Sequence, residues 1–141
     1  MRSLAAAILA VVLSSAALAD NTDTSQPLVT LTAQAAGTVN SLDVTNSSNG
    51  CLVVVVDLTT VSSASLVVHI QGKDVASASY YDILVGPALT APGVTPMYVC
   101  RGIIGTSTSI ALPTPRTWRV SAVVAGGSAS VTGSIGASQT E

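Results

Sequence analysis

The chain has 141 residues and is weakly acidic, with five Lys or Arg residues against seven Asp or Glu residues and a formal charge of −2. That length suits one domain with a hydrophobic core and is short for two. Charged residues make up only 9% of the chain, and no basic run could neutralise successive phosphates, so the composition argues against nucleic acid as a partner.

The first 19 residues have the layout of a secretory signal. Arg2 precedes an unbroken apolar run over residues 4–13, and the small residues at 17–19 predict cleavage after Ala19. A membrane anchor is the alternative, but the uncharged stretch is only 17 residues long (3–19), which is marginal for a bilayer span. Residues 20–27 are polar and end in proline, which predicts a linker.

Short runs rich in valine and threonine, separated by Gly, Pro, Asn and Ser, predict about eight strands and no helix after residue 20. The predicted strands are residues 28–35, 38–44, 51–59, 66–71, 80–85, 94–101, 117–124 and 128–135. This spacing predicts a single antiparallel β-sandwich, immunoglobulin-like or jelly-roll-like, over residues 28–138, with 139–141 as a loose tail. The glycine pair at 126–127 predicts a closing hairpin over residues 123–131.

The valine-rich run after Cys51 is the predicted centre of the core. One face of this strand holds Leu52, Val54, Val56 and Leu58. Because Val53 and Val55 occupy the other face, we expect the strand to be central and covered on both sides.

Trp118 is the only tryptophan, and strand alternation places it with Val120 and Val124, opposite Arg119. We therefore expect Trp118 in the core, where its replacement by alanine would cost about 3–5 kcal/mol. A stacking platform for a sugar or a base is the alternative role.

Cys51 and Cys100 are the only cysteines, and an exported protein could oxidise them to a disulfide. Strand parity leaves the pairing open, because Cys51 shares the face of Asp57 whereas Cys100 lies opposite Arg101. Two buried or half-buried thiols are the alternative.

Little in the sequence suggests catalysis or a cofactor. His69 is the sole imidazole, on the opposite strand face from Val68 and Ile70, and no Gly-x-Ser-x-Gly elbow is present. Four aspartates could supply a carboxylate pair, but their spacing predicts no mutual distance. No zinc, calcium-loop or phosphate-loop pattern occurs. We expect a non-enzymatic scaffold with no cofactor and no small-molecule substrate.

Several stretches carry a resemblance to a known family. They are GCLVVVVDLT at 50–59, VVHIQGKD at 67–74, YYDIL at 80–84, Leu112 followed by PRTWRV at 115–120, and SVTGSIGAS at 130–138. In this order they resemble small β-sandwich structural proteins of tailed bacteriophages, over about residues 28–138. The most specific parts are IQGKD and PRTWRV. Residues 1–19 depart from that family, whose members begin close to the first strand.

The resemblance implies a virion component, a head-decoration or tail-associated subunit, that packs against other virion proteins and copies of itself. Its interface would include Lys73, Asp74, Arg116 and Arg119. The alternative is an exported bacterial binding module or adhesin, secreted or periplasmic, that presents loops such as 90–95 or 46–50. Such a protein would contact a membrane only while being exported.

Overall fold

The computed structural model describes residues 23–46 and 50–140, and these form ten β-strands and no helix. The strands are β1 (Asp23–Gln34), β2 (Gly37–Asn40), β3 (Val44–Thr45), β4 (Cys51–Ser62), β5 (Ser65–Lys73), β6 (Tyr80–Val85), β7 (Gly93–Val99), β8 (Ser109–Ile110), β9 (Thr117–Ala125) and β10 (Ser130–Thr140). They build two sheets packed face to face. The predicted all-β sandwich is therefore confirmed.

Sheet A has the strand order β1-β10-β4-β7-β8, and sheet B has the order β2-β9-β5-β6, with β3 also pairing with β9. All neighbouring strands are antiparallel except β7 and β8. The strands extend further than predicted at both ends of the chain. β1 begins at Asp23, inside the predicted linker, and β10 runs to Thr140, inside the predicted tail. The predicted signal segment lies outside the described residues.

The predicted closing hairpin over residues 123–131 is wrong. β9 lies in sheet B between β2 and β5, whereas β10 lies in sheet A between β1 and β4. The glycine pair therefore carries the chain from one sheet to the other. A glycine is required at the first position, because Gly126 has φ +138° and a Cβ there would overlap the carbonyl oxygen of Ser63.

The core lies between the sheets and follows the alternation of the sequence. From β4 it takes Leu52, Val54, Val56 and Leu58, which are 0–3% exposed, and from β9 it takes Trp118, Val120, Ala122 and Val124, also 0–3% exposed. β5 contributes Leu66, Val68 and Ile70. The β-branched side chains suit such a surface because their restricted rotamers pack well on a pleated sheet.

The expectation that β4 is covered on both sides is wrong. β4 is central within sheet A, but its outward side chains Val53 and Val55 are only half-buried, because no strand of residues 23–46 or 50–140 forms a layer over them. Sheet A therefore has an apolar outer surface.

Candidate functional site

The structure places two different surfaces on the two sides of the sandwich. The outer face of sheet B, here called face B, carries Val67, His69, Gln71 and Lys73 of β5, Tyr80, Asp82 and Val85 of β6, and Arg119, Ser121 and Val123 of β9. On β5 and β9 these residues alternate with buried ones, although Ser121 is itself buried. Cross-strand partners such as Gln71 and Arg119 lie side by side. Most of the charges on the strands of the domain lie here.

Asp43 reaches face B because the edge of sheet B contains a bulge. Asn40 pairs with Ser121 and Val44 pairs with Trp118, so three residues of the edge stand opposite two of β9. Leu42, 88% exposed, is the extra residue. A bulge re-aims the side chains that follow it, and here it turns Asp43 towards face B.

The Asp43 carboxylate joins two strands of face B. Its Oδ1 accepts a hydrogen bond from Tyr80 Oη at 2.6 Å, and its Oδ2 accepts one from Lys73 Nζ at 2.6 Å. The hydrogen bonds from Lys73 and then Tyr80 lower the pKa of Asp43, and the bond to Asp43 raises the pKa of Lys73. The pair is therefore ionised at neutral pH.

Arg119 is held rigidly at the middle of face B. Its Nε donates to Gln71 Oε1 at 2.9 Å, and its guanidinium carbon lies 3.4 Å from the centre of the Tyr80 ring. Stacking on an aromatic ring and a single directed hydrogen bond fix the plane of the guanidinium. Within residues 23–46 and 50–140, no acceptor binds its two terminal Nη groups.

The same chain of contacts continues to His69. Gln71 Nε2 donates to Asp82 Oδ1 at 2.9 Å, and His69 Nδ1 lies 3.1 Å from Asp82 Oδ2. Burial opposes ionisation of Asp82, but the hydrogen bonds from Gln71 and His69 outweigh it and lower the pKa of this carboxyl. Each polar group thus orients the next, from His69 across the sheet to Asp43.

Of the four residues predicted at the interface, the structure brings Lys73 and Arg119 together on face B and leaves the other two apart. Asp74 closes the turn after β5: its Oδ2 accepts from Ser77 Oγ at 2.6 Å, and this bond together with the backbone N–H groups of Ala76 and Ser77 lowers its pKa. Arg116 precedes β9 with an exposed side chain.

Sequence reasoning missed Asp43 and Tyr80 as partners of Lys73 and Arg119. The alternation of β5 does place His69, Gln71 and Lys73 on one face, and this signal could have located part of the cluster. The bond between Asp43 and Tyr80 spans 37 residues and depends on the edge bulge, which nothing in the local sequence predicts.

The outer face of sheet A, here called face A, has a different chemistry. It carries Val53, Val55 and Asp57 of β4, Val94, Pro96 and Tyr98 of β7, and Ser134, Gly136 and Ser138 of β10. Val94 is 65% exposed and Tyr98 37% exposed. Asp57 is the one charged residue in β4, β7 and β10, and no side chain among the described residues pairs with it.

A disulfide closes one end of face A. Cys51 and Cys100 are bonded, with their Cα atoms 4.4 Å apart. The strand register explains the contact: Leu52 pairs with Val99, so the next residues on each strand are direct neighbours. Thr114 Oγ1 donates to Gly50 O at 3.0 Å, which fastens the loop before β9 to the same end.

Comparison with known proteins gave no assignment: no family model, curated protein or solved structure matches the chain. Among residues 23–46 and 50–140, no helix is long and apolar enough to cross a membrane. In the same part of the chain, no group of three or more His, Cys, Asp or Glu residues is arranged to hold a metal ion.

Proposed function

We propose that this chain is a non-catalytic structural protein of a phage virion, a head-decoration or tail-associated subunit, which acts by packing against neighbouring proteins. Face A is the observation that carries the proposal. The resemblance of residues 28–138 to phage β-sandwich proteins suggests the kind of assembly, and face A is the surface that would contact the neighbouring protein.

Face A suits protein–protein packing because its side chains are mostly apolar or small, and Asp57 is the one charged residue in β4, β7 and β10. Ser134, Gly136 and Ser138 leave room above β10, while Val53 and Val55 stand beside Tyr98 and Pro96 on the neighbouring strand. Burying this apolar area would be favourable at about 25 cal/mol per Å². A soluble domain that exposes such a patch gains by covering it with a partner.

The size of face A favours repeated contacts over one strong contact. Face A is formed by three strands, which lie about 4.8 Å apart. Each strand contributes some six residues with a rise of about 3.4 Å per residue, so the face covers on the order of 300 Å². A stable interface typically buries roughly 800 Å² per partner. Many copies held on a shell or tube would compensate for a weak individual contact.

The test is incorporation into particles. Val55→Glu places a charge on face A without touching the core, and Thr90→Glu adds the same charge in an exposed loop as the matched control. Quantitative mass spectrometry of purified particles should find the wild type and Thr90→Glu, and at least tenfold fewer copies of Val55→Glu. Absence of the wild-type chain from particles would refute the proposal.

The disulfide favours a second candidate, an exported binding module or adhesin. Disulfides form and persist in secreted and periplasmic proteins, although virion surfaces also permit them. Of the loops proposed for such a role, residues 90–92 are exposed, while 47–49 lie outside the described residues. Recovery of the native protein from the periplasm or medium, with an N-terminus at Asp20 and no association with particles, would support this candidate.

A further inference from the structure

We infer that the partner of face A is face B of a second copy of this chain, joined by an ion pair between Asp57 of one copy and Arg119 of the next. The inference rests on the proposed function, because it names the partner of the packing surface. It starts from two groups on opposite sides of the sandwich: a carboxylate with no side-chain partner among the described residues, and a guanidinium whose two Nη groups meet no acceptor there.

Asp57 is the one charged side chain of face A, and no side chain in the described part of the chain pairs with it. It is exposed, and its cross-strand neighbours are Ser134 and Val94, neither of which is charged. Any partner that covers face A removes water from this carboxylate. Burying an unpaired charge is costly, so the partner must bring a cation to this position.

Arg119 is the matching cation on face B. Tyr80 and Gln71 already fix the plane of its guanidinium, and its two Nη groups engage no acceptor among the described residues. A guanidinium binds a carboxylate through two parallel hydrogen bonds, and a group held in place loses little freedom on binding. Lys73 differs, because its Nζ donates directly to Asp43 Oδ2 at 2.6 Å, whereas Asp43 attracts Arg119 only through space.

Three ways of pairing the faces are possible, and the charges distinguish them. A contact between two copies of face A buries two unpaired Asp57 carboxylates. A contact between two copies of face B leaves the apolar face A exposed. Only the contact of face A with face B covers the apolar face and supplies Asp57 with a cation.

The contact of face A with face B also brings apolar residues of the two copies together. On β4, Asp57 lies four residues from Val53, and on β9, Arg119 lies four residues from Val123, so each pair spans about 13 Å. In one molecule the two pairs run in opposite directions along the sandwich. A second copy turned by half a turn about the sheet normal therefore places Arg119 on Asp57 and Val123 on Val53 together.

Such a contact uses different surfaces on the two copies, so each subunit keeps one free face and the stack can continue. The small area of each contact makes association weak, and we expect it to rise steeply with protein concentration and to weaken in high salt.

The experiment is a charge exchange in the purified protein, followed by sedimentation equilibrium from micromolar to millimolar concentration. Asp57→Arg alone places Arg against Arg119, and Arg119→Asp alone places Asp against Asp57, so each should associate at least tenfold more weakly than the wild type. Mixing the two variants restores both opposite-charge contacts and should restore association. Arg101→Asp makes the same charge reversal at an exposed turn position outside both faces; it is the matched control and should behave as the wild type.

A second pair of variants guards against misfolding of Arg119→Asp. Val53→Arg on face A and Val123→Asp on face B should likewise fail alone and associate when mixed. Normal association of either single Asp57 or Arg119 variant, or failure of both mixtures, would overturn the inference. A wild-type protein that stays monomeric throughout would also overturn it, whereas the proposed function would fail only in the particle experiment.

Discussion

Tyr80 and Asp43 lie on opposite edges of sheet B, yet Tyr80 Oη donates a 2.6 Å hydrogen bond to Asp43 Oδ1. The ring therefore lies across the two central strands β5 and β9, with the guanidinium of Arg119 stacked on it. Sheet B is thus covered by its own side chains, whereas sheet A is not. This difference is the physical basis for assigning distinct roles to the two faces.

The Asp43 contacts predict an acid-sensitive contribution to stability. Because the pKa of Asp43 is lowered in the folded state, its ionised form stabilises the fold above the ordinary Asp pKa of about 3.9, and this contribution is lost as pH falls through the folded-state value. Urea unfolding should show the wild type more stable than Asp43→Asn at neutral pH, and this difference in stability should shrink as pH falls below about 3.9. An unchanged difference at low pH would show that the charge is not responsible.

We expect two replacements of Trp118 to differ strongly in their effect on the free energy of unfolding. The side chain is 0% exposed, so Trp118→Ala should lower the free energy of unfolding by about 3–5 kcal/mol. Its Nε1 is buried without a hydrogen-bond partner among the described residues, which costs about 1–3 kcal/mol. Trp118→Phe removes that donor and keeps most of the ring, so it should lose much less stability. Denaturant unfolding of both variants would measure this, and equal losses would contradict the explanation.

The disulfide should contribute strongly to stability because it closes a long loop. For a separation of 49 residues, chain entropy predicts a gain of about 4 kcal/mol. The double variant Cys51→Ser/Cys100→Ser should therefore unfold at much lower denaturant, and the wild type under reducing conditions should match it. If reduction leaves the wild-type transition unchanged, the bond does not stabilise the fold.

We expect position 133 to require glycine, because the structure leaves no room for a side chain there. A Cβ at this position would overlap the carbonyl oxygen of Asp57, at the bulge where β10 passes β4. Because that oxygen is backbone, relief requires strand movement, and Gly133→Ala should cost about 1–3 kcal/mol. Gly127→Ala is the matched control, since nothing lies within 4 Å of its Cβ position. Similar melting temperatures for the two variants would contradict this.

The alternation of apolar residues predicted the inner faces of the central strands, because a period of two residues is a local property. It placed Trp118, Val54 and Val56 on faces that the structure buries completely. The same rule located His69, Gln71 and Lys73 on one outward face. What one strand presents to either side therefore follows from its own short segment of sequence.

Pairing between distant strands could not be predicted in this way. Whether Cys51 meets Cys100 depends on the register of β4 against β7, which sets Leu52 opposite Val99. The glycine pair at 126–127 suits a hairpin turn, but β9 and β10 both find better partners in different sheets. Register and sheet order arise from packing of the whole core, which no short segment determines alone.

The position of β10 has a consequence for synthesis of the protein. β10, the last strand of the described residues, lies between β1 and β4, so β1 has no neighbour in sheet A until β10 has left the ribosome. Translation is slower than local strand pairing, so β1 has no hydrogen-bonded neighbour in sheet A while residues 35–129 are made. A chain that stops before Ser130 lacks the strand that joins β1 to β4, so sheet A cannot form as described.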